Sequence, residues 1–141
     1  MAVKEMVTHG NLQVARVPAS IATDTTTNTA IIDTADADYG VTFFIEATAY
    51  TDGTYKLTFQ EGDESDLSDA TTVGSEKIVT VSGTDAVATG VTAATAAGDN
   101  LFKAGIHSTK RYVRAQVVST GTTTGATIGV YCLLNGEVLP E

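Results

Sequence analysis

The stretch VTFFIEATAYTDGTYKLTFQE, residues 41–61, alternates apolar and polar side chains in two runs around Thr51-Asp52-Gly53. A period of two places every second side chain on the same face of a β-strand. The buried face of residues 41–50 is therefore predicted to hold Val41, Phe43, Ile45, Ala47 and Ala49, and that of residues 54–61 Tyr55, Leu57 and Phe59. Phe44 interrupts the polar side of the first run, which indicates that this strand is covered on both faces. Asp52-Gly53 offers the positive φ of a tight turn, so the sequence predicts a hairpin.

A second pair of β-rich runs, residues 111–118 and 126–134, flanks the polar, glycine-bounded residues 119–125 and predicts a second hairpin. Its inward side chains are expected to be Val113, Ala115 and Val117, together with Ile128, Val130, Cys132 and Leu134. Shorter strand candidates are residues 12–17, 30–33, 77–81 and 101–106. Residues 84–97 are alanine-rich and give a weak indication of helix, and residues 65–70 suggest a short turn.

Several short strands separated by turn residues predict an all-β fold, an antiparallel β-sandwich, a jelly roll or a barrel. Residues 30–141 are expected to form this single β domain. Residues 1–20 are expected to be an extended N-terminal arm, and the threonine-rich residues 21–29 a linker without apolar periodicity.

Composition excludes several functions. The chain has 141 residues, of which 43% are hydrophobic, and this is enough for one core. The formal charge of −9 disfavours binding to nucleic acid or to anionic membranes, and no apolar run is long enough to span a bilayer. No apolar segment follows Lys4, so we expect synthesis in the cytosol without a secretory signal. Cys132, the single cysteine, lies in an apolar run and is expected to be a buried core residue.

No catalytic, cofactor-binding or metal-binding residue is predicted. His9 and His107 lie beside no recognisable nucleophile motif, and the adjacent Ser108 would point away from His107 on a strand. Residues 61–69 are acidic, and a calcium site is the alternative there to a solvated loop, although the order of an EF-hand is missing. Residues 121–125 lack the lysine and the following helix of a phosphate-binding loop.

Four residues are candidates for an interface. Tyr112 and Arg114 are expected on the outward face of their strand, and tyrosine and arginine are favoured at binding hot spots. The alternative for this pair is a solvated outer face. Leu12 and Val14 belong to the predicted arm, which could pair with a neighbouring subunit as an added strand.

A set of short sequence segments, taken in order along the chain, resembles small proteins encoded near the major capsid gene in tailed bacteriophages. The set lies within residues 30–135 and comprises Ile32-Asp33-Thr34, Asp38-Tyr39, Thr51-Asp-Gly-Thr-Tyr55, residues 61–71, Lys110-Arg-Tyr-Val-Arg114 and residues 121–129. The chain departs from that group in residues 84–100 and in Cys132. The resemblance implies an external capsid decoration, or cement, protein of the virion, a non-enzymatic homotrimer that bridges major capsid subunits of the expanded head and is made in the bacterial cytoplasm.

Two other functions remain open. The first is a component of a tail tube or connector, which the residues do not distinguish from a head protein. The second is a β module that binds a carbohydrate or host surface, against which the absence of tryptophan and the 6% of aromatic residues count.

Overall fold

A computed structural model describes residues 10–35, 40–80, 91–94 and 100–135. Within these residues the chain forms antiparallel sheets in a sandwich-like arrangement, which confirms the predicted all-β class and selects the sandwich. The strands are β1 (Gly10–Ile21), β2 (Thr26–Asn28), β3 (Ile32–Asp33), β4 (Val41–Thr48), β5 (Thr54–Gly62), β6 (Thr71–Thr72), β7 (Ile78–Thr80), β8 (Val91–Ala94), β9 (Asn100–Ile106), β10 (Tyr112–Thr120) and β11 (Ala126–Asn135). A 3-10 turn spans Ser75–Lys77.

The strands are divided between two sheets. The five-stranded sheet has the order β1-β11-β4-β9-β7. The six-stranded sheet has the order β2-β10-β5-β6, with β3 also paired to β10 and β8 to β5. The core lies between the sheets, where the rings of Phe43 of β4 and Phe59 of β5 pack at a tilt of 40° with centroids 5.4 Å apart.

Both predicted hairpins are wrong in their strand pairing. β4 pairs with β11 and not with β5, while β5 pairs with β10. The two connections, residues 49–53 and 121–125, instead cross from one sheet to the other. A hairpin and such an arch require the same alternation, because in both the two strands turn one apolar face toward the core. Positive φ angles at Ala49 (48°) and Gly53 (96°) redirect the chain.

The predicted inward faces are confirmed at every position except one. Side chains of β4, β5, β10 and β11 alternate as expected, and those named as inward are buried. Ala49 is exposed, because it already belongs to the turn that leaves β4. Cys132 is fully buried, as expected of a core residue.

Three other predictions need correction or lie outside the described residues. Residues 10–20, assigned to an arm, and Ile21, assigned to the linker, form β1, which pairs with β11 and confirms the strand candidate at residues 12–17. The residues assigned to a linker include β2, which pairs with β10. Of the residues assigned to a weak helix, Val91–Ala94 form strand β8, and the others lie outside the described part, as do residues 1–9. The turn near residues 65–70 is confirmed by hydrogen bonds from Leu67 N to Glu64 O and from Ala70 N to Leu67 O.

Candidate interaction surface

The outward side of the five-stranded sheet carries an apolar cluster where β1, β11 and β4 lie side by side. The strand register aligns Val14 of β1 with Tyr131 of β11 and then Phe44 of β4. Two residues away on the same strands, Leu12 of β1 lies beside Leu133 of β11. We call Leu12, Val14, Phe44, Tyr131 and Leu133 the apolar face. Leu12 is 68% exposed and Val14 54%, whereas the other three are partly buried by their neighbours.

A shallow depression of about 280 Å³ lies in this face, between Leu12, Phe44, Tyr131 and Glu46. Within the described residues Glu46 forms no ion pair. Lys103 of β9 is opposite Phe44 and is exposed. The apolar face is thus flanked by one anionic and one cationic side chain.

The outward side of the six-stranded sheet is polar. Arg114 Nε donates to Gln60 Oε1 at 2.7 Å, and Gln116 Nε2 donates to Asn28 Oδ1 at 2.8 Å. The guanidinium of Arg111 lies 5.2 Å from the centroid of the Tyr112 ring. The two hydrogen bonds are cross-strand contacts between polar side chains, which are typical of a solvated sheet face.

The four residues predicted as interface candidates do not form one patch. Leu12 and Val14 lie on the apolar face of the five-stranded sheet, and Tyr112 and Arg114 lie on the polar face of the six-stranded sheet. The remaining residues of the apolar face were not predicted as a site. Two sequence signals indicated it: Phe44 on the otherwise polar side of β4, and the nearly continuous apolar run of β11, which is typical of a strand with two apolar faces.

The acidic residues at the end of β5 are bound by donors of the same chain. Glu61 is buried, in contrast to the predicted solvated loop, and accepts hydrogen bonds from Lys77 Nζ at 2.6 Å and Ser108 Oγ at 2.5 Å. Asp69 accepts from the backbone N–H groups of Asp63 and Glu64, which lowers the pKa of Asp69. Among the described residues no group of three or more acidic, histidine or cysteine side chains could hold a metal ion.

Asp52 occupies the backbone donors of the glycine-bounded loop. Its carboxylate accepts from the N–H groups of Thr123, Thr124 and Gly125 at 2.8–3.1 Å. The hydroxyl of Thr123 donates to it as well, at 2.5 Å. These bonds, the Thr123 hydroxyl first, lower the pKa of Asp52 to about 2. The donors that could otherwise hold an external anion are therefore used to join the two arches.

Of the other side chains that could be reactive, Ser108 is hydrogen-bonded and Cys132 is buried. Ser108 donates its hydroxyl proton to Glu61, and the backbone N–H of its exposed neighbour His107 donates to Lys77 O. Burial raises the pKa of the Cys132 thiol to about 11, so this thiol remains protonated at neutral pH. No helix among the described residues is long and apolar enough to cross a membrane.

Comparison of the chain with protein-family models, with curated proteins and with solved structures returns no match.

Proposed function

We propose that this protein is a non-enzymatic structural component of a virion, a decoration or cement protein that docks on the exterior of an expanded bacteriophage head. The observation that carries the proposal is the apolar face. Leu12 is 68% exposed. Covering such large apolar side chains with a partner lowers the free energy by about 25 cal/mol per Å² of apolar surface buried.

The charge distribution supports docking through this face. The chain has a net charge of −9, which opposes close contact with other acidic surfaces. The two charged neighbours of the apolar face have opposite signs, because Glu46 lines its depression and Lys103 lies opposite Phe44. A capsid subunit could therefore approach the five-stranded sheet with little electrostatic penalty.

The fold supports a mechanical role. Within each sheet, backbone hydrogen bonds pair strands that are distant in sequence. The carboxylate of Asp52 in one arch accepts hydrogen bonds from the other arch. Such contacts between segments distant in sequence suit a protein that is proposed to hold neighbouring subunits together. The sequence resemblance to phage head proteins adds the identity of the partner, the major capsid protein.

Co-sedimentation tests the proposal. Purified protein is mixed with empty expanded capsids and, separately, with unexpanded capsids of a phage that carries the gene, and bound copies are counted by gel densitometry. We expect saturable binding to expanded capsids and little binding to unexpanded ones. Failure to bind either form, or recovery of the protein only in purified tails, would contradict the proposal, and the second result would favour the tail component.

A further inference from the structure

β1 forms one edge of the five-stranded sheet, and no described strand pairs with the free side of its first half, which we call the unprotected half. Edge strands present unpaired N–H and C=O groups, and proteins usually shield them with charges, proline, bulges or short length. In β1 both register shifts and Pro18 lie between Val14 and Ala19, in the second half of the strand. Ala30 N donates to Ala15 O and covers that point of the edge. Within the described residues, none of these devices protects Gly10–Val14.

Exposed apolar side chains lie in both halves of β1, Leu12 and Val14 in the unprotected half and Val17 in the other. Leu12 and Val14 are exposed, and the register from Gly10↔Asn135 to Val14↔Tyr131 is regular, so the strand is straight enough to accept a partner. The opposite edge strand, β7, has only three residues. Residues 10–15 contain no charge, and neither do residues 131–135 of β11 opposite them.

We propose that the Gly10–Val14 edge binds the same edge of a second copy in antiparallel orientation, so that two five-stranded sheets become one continuous sheet. The edge favours a second copy on electrostatic grounds, because two copies that each carry a net charge of −9 meet there with less repulsion than at their acidic surfaces. A two-fold axis makes the pairing antiparallel and self-complementary. Leu12 would then lie beside Leu12 or Val14 of the partner copy on the shared outer face.

This inference does not depend on attachment to capsids. It also differs from the homotrimer that the sequence resemblance implies, since an edge joined by a two-fold axis makes only dimers. A pairing of five residues buries less area than a standard stable interface, so the dimer of the free protein is expected to be weak.

Sedimentation equilibrium of the full chain, at concentrations up to about 1 mM, tests the proposal, since a weak interface is populated only near its Kd. We expect a monomer–dimer equilibrium in the unaltered protein. Leu12→Lys places like charges across the two-fold axis and should weaken dimerisation at least about tenfold. Val14→Lys serves as a second variant, and thermal melting checks that both variants fold.

The matched control is Val79→Lys on β7, where the side chain is also 68% exposed but lies on the other edge of the sheet. It makes the same change of charge and should leave the dimer intact. In NMR spectra, concentration-dependent amide shifts should cluster in residues 10–14. A protein that is monomeric at the highest concentration, a trimer, or a dimer that Val79→Lys weakens as much as Leu12→Lys does would overturn the proposal.

Discussion

Asp52 joins two connections that are 71 residues apart in sequence. The sequence marked it as a turn residue before Gly53, and it does lie in the connection between β4 and β5. Its main contacts, however, are with the loop between β10 and β11, whose three successive N–H groups converge on its carboxylate. A single side chain thus does for the two arches what backbone hydrogen bonds do within a hairpin.

Asp52→Asn should destabilise the protein at neutral pH, because the neutral amide replaces a charge-assisted acceptor. The folded-state pKa of Asp52, about 2, lies below its ordinary value of 3.8. The stabilisation is therefore fully present above pH 3.8 and is lost as the pH falls through about 2. Melting temperatures of the two proteins should differ at pH 7 and converge near pH 2.

The control for this prediction is Asp66→Asn. The pKa of Asp66 is also lowered, chiefly by the backbone N–H of Ser68, but this contact joins residues only two apart. Its loss should change the melting temperature less than the loss of Asp52. Equal melting temperatures of Asp52→Asn and the unaltered protein at pH 7 would show that the contact between the arches adds no stability.

At the scale of elements, the end of β5 is held to two other segments by Glu61. Lys77 follows β6 and ends the 3-10 turn, and Ser108 lies in the connection from β9 to β10. The Glu61 side chain is 5% exposed and the Lys77 side chain 30%. Removal of this buried carboxylate takes from Lys77 Nζ its acceptor and leaves Ser108 Oγ only its contacts with the backbone of Lys110.

Glu61→Ala should therefore lower the free energy of unfolding by about 1–3 kcal/mol, the usual cost of unsatisfied buried polar groups. Asp63→Ala is the matched control. Asp63 lies two residues after Glu61 and forms an ion pair with Lys110, but both side chains of this pair are about half exposed. Exposed ion pairs contribute little to stability, so the free energy of unfolding of this variant should be close to that of the unaltered protein. A urea titration compares the two. Equal losses would indicate that Glu61 contributes no more than an exposed ion pair.

The elements also show what the sequence could predict. The inward positions of β4, β5, β10 and β11 follow from alternation alone, since each strand has to bury one face. Their partners do not follow, because the same alternation fits β4 beside β5 and β4 opposite β5. Asp52-Gly53 favours a turn in either case. The apolar face was missed for the same reason: Phe44 and Tyr131 are neighbours only once β4 and β11 are known to pair.

At the scale of the whole molecule, the two outer surfaces of the sandwich differ in chemistry. The five-stranded sheet exposes Leu12 and Val14 beside Phe44 and Tyr131, whereas the six-stranded sheet exposes a ladder of amide, hydroxyl and guanidinium groups. Exposed apolar patches promote aggregation, and on a folded protein they often mark a site of interaction. The outer surface of the five-stranded sheet is therefore the better candidate for contact with a partner. Under the proposed function, the five-stranded sheet is the docking side and the six-stranded sheet is the solvent side.

Two tyrosines allow this assignment of sides to be tested with one substitution. Tyr131 belongs to the apolar face, and Tyr112 lies on the polar face under the guanidinium of Arg111. Both are partly buried, so Tyr131→Ser and Tyr112→Ser should shift the melting temperature by similar amounts. If the five-stranded sheet docks on the capsid, Tyr131→Ser should reduce bound copies at least about fivefold at subsaturating concentration, as loss of an interface aromatic does, while Tyr112→Ser binds normally. Densitometry of sedimented capsids measures both. The reverse result would move the docking side to the six-stranded sheet and to Tyr112 and Arg114, and equal binding by the two variants would exclude both tyrosines from the contact.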